Sequence, residues 1–276
     1  QTKKFQLTPL WAETLFKELG LAEATQHLTC SATADGQVIW NPQADSPLTL
    51  TADLNPFTVK AKGLDSPLAL HGAVEFTPTG FSGQDLRFDQ GASSLLARDF
   101  HLTTKDDETT AFTRLDAGGG VVLGPQLYRL MGPQAEIALA KVGLSGKLLP
   151  RNLSLHFQWS KNQEAQFRGE SGFLEVKDLV FHGPPKIHKG TGTIELQNLR
   201  WNSSEGTHGT FLLLGGKGEL LDIPMRNTTG EVHLSPNSLS LQRFGTHLLG
   251  GTITSGTLQL GLQAEAPLDI DLAFQG

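Results

Sequence analysis

GTIELQNLRW, Gly192 to Trp201, begins as a strand with one apolar face and then loses its phase. Ile194 and Leu196 alternate with Glu195 and Gln197, as a half-buried strand requires. Asn198 then takes the slot of the next apolar residue, and the apolar series resumes one position late at Leu199 and Trp201. Twenty residues upstream, GFLEVKDLVF (Gly172 to Phe181) makes the same change. Leu174 and Val176 alternate, Asp178 interrupts, and Leu179 and Phe181 continue one position late. FSGQDLRF (Phe81 to Phe88) is a weaker third copy, with Asp85 ahead of Leu86 and Phe88.

A one-residue shift of phase means either a bulge or a turn at that point. Asn and Asp suit both, because they tolerate unusual dihedrals and bond their own backbone. With a bulge, Ile194, Leu196, Leu199 and Trp201 share one face, and the strand bends there. Bulges repeated at one level would curve a sheet into a trough. With a turn, the same residues build an ordinary β-sandwich. Periodicity alone leaves both readings open.

Outward from these stretches the pattern is of many short strands. QVIW, PLTLTADL, PLALHGAVEF, LSLHFQW, FLLL, EVHL, SLSLQRF and TLQLGLQ alternate apolar with polar residues, and Gly, Pro, Asn and Ser separate them. This predicts an antiparallel all-β architecture. Two short helical segments interrupt it. Thr8 to Gly20 has a cap, a proline at the first helical position and a terminal glycine. Gly124 to Gly143 is broken at Gly132-Pro133 and reads as two short helices. Each segment opens about half of the chain, giving a helix-plus-strand module over 1–123 and a second over 124–276, joined by a continuous sheet. DSPLTL at Asp45 and DSPLAL at Asp65 repeat at twenty residues, the spacing of Gly172 and Gly192. That period holds two strands of about eight residues plus two turns, which is one hairpin, so the sheet grows by hairpin repeats.

With 276 residues the chain can build a sizeable core. Its net charge of −6 and scattered basic residues argue against nucleic acid. A single cysteine, Cys30, rules out an internal disulfide framework. No run approaches the ~18 apolar residues of a membrane span. The abrupt start at Gln1 and the end in PLDIDLAFQG read as a fragment of a longer protein.

Sharper chemistry finds little support. His182 and His188 flank a Pro-Pro pair six residues apart, which is not a metal-ligand spacing, and two loop histidines explain them. Gly118 to Gly120 lack the Gly-Lys-Ser/Thr of a phosphate loop. Asp106, Asp107 and Glu108 lack calcium-loop spacing and read as a solvated hairpin tip. Glu170 and Glu175 flank a strand start without forming an acid pair. No nucleophile elbow occurs. The expectation is therefore a protein that is not an enzyme and uses no cofactor or metal. Trp40, Trp159 and Trp201 end strands and are expected to pack in the core or at the sheet rim, and Trp11 belongs to the first helix.

The slipped strands, the repeated SPL-x-L strands and the run FGTHLLGGTITSGTLQLGL (Phe244 to Leu262) followed by LDIDLAF together resemble the AsmA-like bacterial envelope proteins, including the TamB and YdbH types. The resemblance covers scattered strand motifs over most of the chain and is strongest after Gly146. It implies a long, curved antiparallel sheet with an apolar groove, a periplasmic body and an inner-membrane anchor in the full-length protein. It further implies a lipid-transfer role, in which phospholipid acyl chains pass along the groove between inner and outer membrane, with envelope proteins as further partners. The residues it places in the groove are Leu174, Val176, Leu179, Phe181, Ile194, Leu196, Leu199, Trp201, Leu86, Phe88, Leu258 and Leu260. The alternative is a β-sandwich or solenoid serving as a binding or scaffold module of the envelope.

Overall fold

A computed structural model describes residues 3–7, 28–40, 48–61, 66–105, 108–130, 133–160, 163–182, 186–202, 204–261 and 268–275. The helix expected over Thr8 to Gly20 lies outside them, as do Asp106, Asp107 and Trp11.

The described chain is almost all strand. In order come β1 (Lys3–Leu7), β2 (Leu28–Trp40), β3 (Leu48–Ala61), β4 (Leu68–Thr77), β5 (Gly80–Gln90), β6 (Ser93–Lys105) and β7 (Glu108–Leu123). Two short helices follow, α1 (Pro125–Leu130) and α2 (Pro133–Lys141). The chain continues through β8 (Ser145–Ser160), β9 (Gln163–Phe181), β10 (Ile187–Asn202), β11 (Gly206–Leu220), β12 (Ile223–Leu234), β13 (Ser238–Leu248), β14 (Gly251–Gly261) and β15 (Leu268–Gln275). Strand order in the sheet is strand order in the sequence, β1 to β15, an open antiparallel meander. The sandwich alternative is corrected here, because the described strands form one sheet rather than two stacked ones.

The chain divides into two compact units, one of residues 1–119 with 154–166 and one of 120–153 with 167–276. The long strands β8 and β9 contribute a segment to each unit.

The first unit has a hydrophobic core. Leu86, Ala97, Val74, Leu54 and Ala52 are buried, and Phe57, Phe76, Phe81, Phe88 and Phe100 pack against them. Phe81 stacks obliquely on Phe76 at 4.9 Å and edge-on to Phe100 at 5.2 Å between ring centres. The opposite face carries cross-strand ion pairs: Arg98 holds Asp85 at 2.7 Å and Asp116 at 2.9 Å, and Arg114 holds Asp99 at 2.6 Å.

The phase slips are bulges. Asp85 and Asp178 are left-handed, with φ of 52° and 51°. In the ladder of β4 with β5, His71 pairs with Arg87 and Ala73 with Gln84, so Gly72 alone faces Asp85 and Leu86. The slip at Asn198 has another geometry: Leu196 pairs with Phe211 and Asn198 with Thr210, and Gln197 is the extra residue. The outcome for the apolar face is the same, since Leu196 and Leu199 both lie over Gly169.

Four further strand residues are left-handed: Asn152, Lys189, Asn227 and Arg243. Each bulge brings two backbones close, and five of the six face a glycine. Gly72 meets Asp85, Gly172 meets Asn152, Gly146 meets Asp178, Gly218 meets Lys189, and Gly230 meets Arg243. A Cβ on Gly172 would lie 2.5 Å from Leu153 Cα and 2.7 Å from Asn152 O, and its φ of +130° already disfavours an L side chain. Asn227 differs, because the residue across the ladder in β13 is Thr246. Thr246 Oγ1 donates to the carbonyl of Arg226 at 3.2 Å and lies 2.9 Å from Thr228 Oγ1, so the bulge is closed by hydroxyls.

Gly172→Ala is expected to cost about 3 kcal/mol through strain and backbone collision. Asp178→Gly, which relieves a left-handed residue, should stay within about 1 kcal/mol of the parent. Urea unfolding followed by circular dichroism separates the two.

Candidate functional site

The second unit leaves space on its apolar face. A cavity of about 270 Å³ lies there, lined by side chains from β9 to β14 and by Leu144 after α2. β9 supplies Val176, Leu179 and Phe181, and β10 supplies Ile187 and Ile194. β12 supplies Met225 and Val232, β13 supplies Leu239, Leu241 and Phe244, and β14 supplies Leu258.

The bulges are what put these residues on one face. In an unbroken strand, positions three apart point to opposite sides. Yet the lining residues straddle each bulge at a spacing of three: Val176 and Leu179 around Asp178, Ile187 and Gly190 around Lys189, Met225 and Thr228 around Asn227, Leu241 and Phe244 around Arg243. In β11 a glycine does the same work, with Gly215 at φ 73° between Leu213 and Gly216. The left-handed residue absorbs the extra step and turns its own polar side chain outward. Asp178, Lys189, Asn227 and Arg243 are all exposed.

The space itself comes from small residues. Gly190, Gly192 and Gly216 contribute no side chain, and Thr228 and Ser240 contribute short ones. Larger residues surround them. The lining is almost wholly hydrocarbon; among the described residues, Lys217 is its one charged group and has no ion-pair partner there.

The turn after the helical segment reaches the cavity through Leu144. Gly143, left-handed at φ 58°, ends α2. Its N–H donates to Ala140 O at 3.1 Å, and the N–H of Leu144 donates to Leu139 O at 3.3 Å, the paired bonds of a Schellman ending. The N–H of His182 donates to Val142 O at 2.8 Å, fixing this ending to the last residues of β9. Val142 and Phe181 are buried together with Leu144 and Ile187 against them. The Tyr128 hydroxyl donates to Leu144 O, and burial raises its pKa above the ordinary value for tyrosine.

Of the residues expected to line a groove, the structure brings Val176, Leu179, Phe181, Ile194 and Leu258 into this one lining. Leu174 is half-buried on β9; Leu196 and Leu199 pack over Gly169, outside the cavity. Trp201 ends β10 and is exposed. Leu86 belongs to the hydrophobic core of the first unit, and Phe88 packs against it. The side chain of Leu260 lies outside the described residues. Sequence reasoning missed Leu144, Ile187, Leu213, Leu220, Met225, Val232, Leu239, Leu241 and Phe244. For β13 the signal was present: SLSLQRF carries the same slip with Arg243 in the place of Asp or Asn.

No group of three or more His, Cys, Asp or Glu gathers among the described residues. The rings of His182 and His188 come within 5.7 Å as a pair beside the helical ending. Among the described residues no helix is long and apolar enough to cross a membrane. The chain matches no protein-family model, no curated protein and no solved structure.

Phe181→Ala is expected to lower stability by about 3–5 kcal/mol, because it opens the packed end at Val142. Val232→Ala, facing space that already exists, should cost clearly less. Chemical denaturation of both variants checks the contrast.

Proposed function

We propose that the second unit holds the hydrocarbon chain of a lipid in this cavity, as part of a lipid-binding or lipid-transfer surface. The observation that carries the reading is a hydrocarbon lining assembled from six adjacent strands around a floor of glycines. An acyl chain needs no specific polar partner, and each methylene removed from water contributes about 0.8 kcal/mol. The volume lies near the lower end of small-molecule sites, about 300 Å³, which suits a length of chain rather than a whole lipid. The resemblance to the AsmA-like envelope proteins points the same way, and with it to a phospholipid cargo moving between inner and outer membrane from a periplasmic position. That part of the reading rests on motif likeness alone. The proposed role needs no catalytic group.

A scaffold role is the second reading. In that role a partner strand would add to the sheet through main-chain hydrogen bonds.

Native mass spectrometry of the purified protein is expected to find copurifying lipid. Ile194→Glu and Leu258→Glu place a charge on the lining and should abolish that signal while the circular dichroism spectrum is kept. Wild-type protein free of lipid, and unable to take up a fluorescent fatty acid, would refute the reading.

A further inference from the structure

The hairpin turns at one edge of the second unit carry residues that neither turn geometry nor solvation favours. Leu220 pairs with Ile223 and Leu248 with Gly251, so each connection is a two-residue turn. Both central residues are left-handed in each: Leu221 and Asp222 at φ 52° and 65°, Leu249 and Gly250 at 48° and 82°. This is the type I′ hairpin turn, in which Asn-Gly and Asp-Gly are preferred because a bulky L residue is sterically disfavoured at positive φ. Here leucine takes the first position both times. Neither leucine is buried in return, as Leu221 is 58% and Leu249 81% exposed.

The two tips stand on the same edge, two strand spacings or about 10 Å apart. The connection from β9 to β10 joins them there, since the N–H of Leu221 donates to Lys186 O at 3.0 Å. α2, which is tied to the end of β9, adds Ile137, also exposed. Around these apolar tips the cations Lys141, Lys177, Lys186, Lys189, Lys217 and Arg226 outnumber the anions Glu136, Asp178, Glu219 and Asp222, with Lys189 paired to Glu219 at 2.7 Å. In the opposite half of the same strands Glu170, Glu195, Glu205 and Glu231 outnumber Arg168, Arg200 and Arg243, the last paired to Glu231 at 2.7 Å. The chain as a whole is acidic, so the positive edge is local.

We propose that this edge docks on the surface of an anionic phospholipid bilayer, Leu221 and Leu249 entering the interface while the flanking cations meet the headgroups. Apolar tips with nearby cations match the two components of interfacial binding, burial of hydrocarbon and attraction to anionic lipid. The edge adjoins the cavity, whose lining includes Leu220, Ile187 and Lys217. Docking would therefore set the cavity beside its lipid source. This purpose rests on the lipid-chain reading; the docking itself rests on the turns.

The test is flotation of the protein with vesicles of phosphatidylglycerol and phosphatidylcholine, and with phosphatidylcholine alone. Wild-type protein is expected to float with the anionic vesicles and to be released by high salt. The double variant Leu221→Asn/Leu249→Asn should lose binding roughly tenfold or more. Because asparagine suits a type I′ turn better than leucine, its melting temperature should equal or exceed that of the parent. Loss of binding with retained stability therefore supports docking and cannot be misfolding. Failure of wild-type protein to float, equal flotation of the double variant, or binding indifferent to vesicle charge and salt would each overturn the proposal. So would self-association through this edge without vesicle binding, which would assign the tips to a protein contact. A fluorescent fatty acid added in buffer reads the cavity separately. Uptake should be the same in parent and double variant, and its absence in both would remove the lipid-chain reading while flotation still judges the docking.

Discussion

In most of the bulged strands here, one face stays apolar across an extra residue because one residue turns left-handed and the neighbouring backbone moves in to meet it. That constraint governs the second unit. Asp178, Lys189 and Arg243 each take the left-handed conformation, and Gly146, Gly218 and Gly230 stand opposite, where a Cβ would press on the bulged strand. Without these pairs Val176 and Leu179, or Leu241 and Phe244, would point to opposite sides. The abundance of glycine, 31 residues in all, thus has a specific use at these positions. The cost per left-handed residue is about 1–2 kcal/mol, which the burial of a leucine or phenylalanine on the correct face offsets.

The two units apply one strand pattern to different ends. In the first, large aromatic side chains pack against Leu86 and Ala97. In the second, Gly190, Gly192 and Gly216 contribute no side chain, and a cavity lies among the leucines around them. A buried glycine beside another strand's backbone cannot be filled cheaply: a Cβ on Gly192 would come 3.1 Å from Gly216 Cα.

Much of the fold was legible because its signals are local. Alternation gave the strands, and the broken pattern at Gly132-Pro133 gave α1 and α2, with Leu130 and Pro133 on either side. The slips at Asp85 and Asp178 were legible because Asp is a familiar left-handed residue. Lys189 was not, since lysine is not expected there. Around Arg243 the pattern SLSLQRF carried the slip, but with arginine in the slot it reads as an ordinary strand. Asn152 reads as a separator ahead of the strand LSLHFQW, although it is the left-handed residue of a bulge. What surrounds each apolar residue was beyond the reach of the sequence. Leu86 and Leu179 follow the same Asp-Leu motif, but Leu86 is fully buried in a core cluster and Leu179 lines a cavity because of residues on other strands.

Strand order that follows sequence order has a consequence for how such a protein changes. Each strand bonds only to its chain neighbours, so a hairpin inserted or lost between two others leaves the remaining registers intact. The extent of an apolar surface of this type can therefore vary in steps of one hairpin, as a repeat array varies in units. By the same token the molecule need not unfold as one body. Opening can start at a terminal strand and travel inward, one ladder at a time, with the bulged strands of the second unit passing through it in turn.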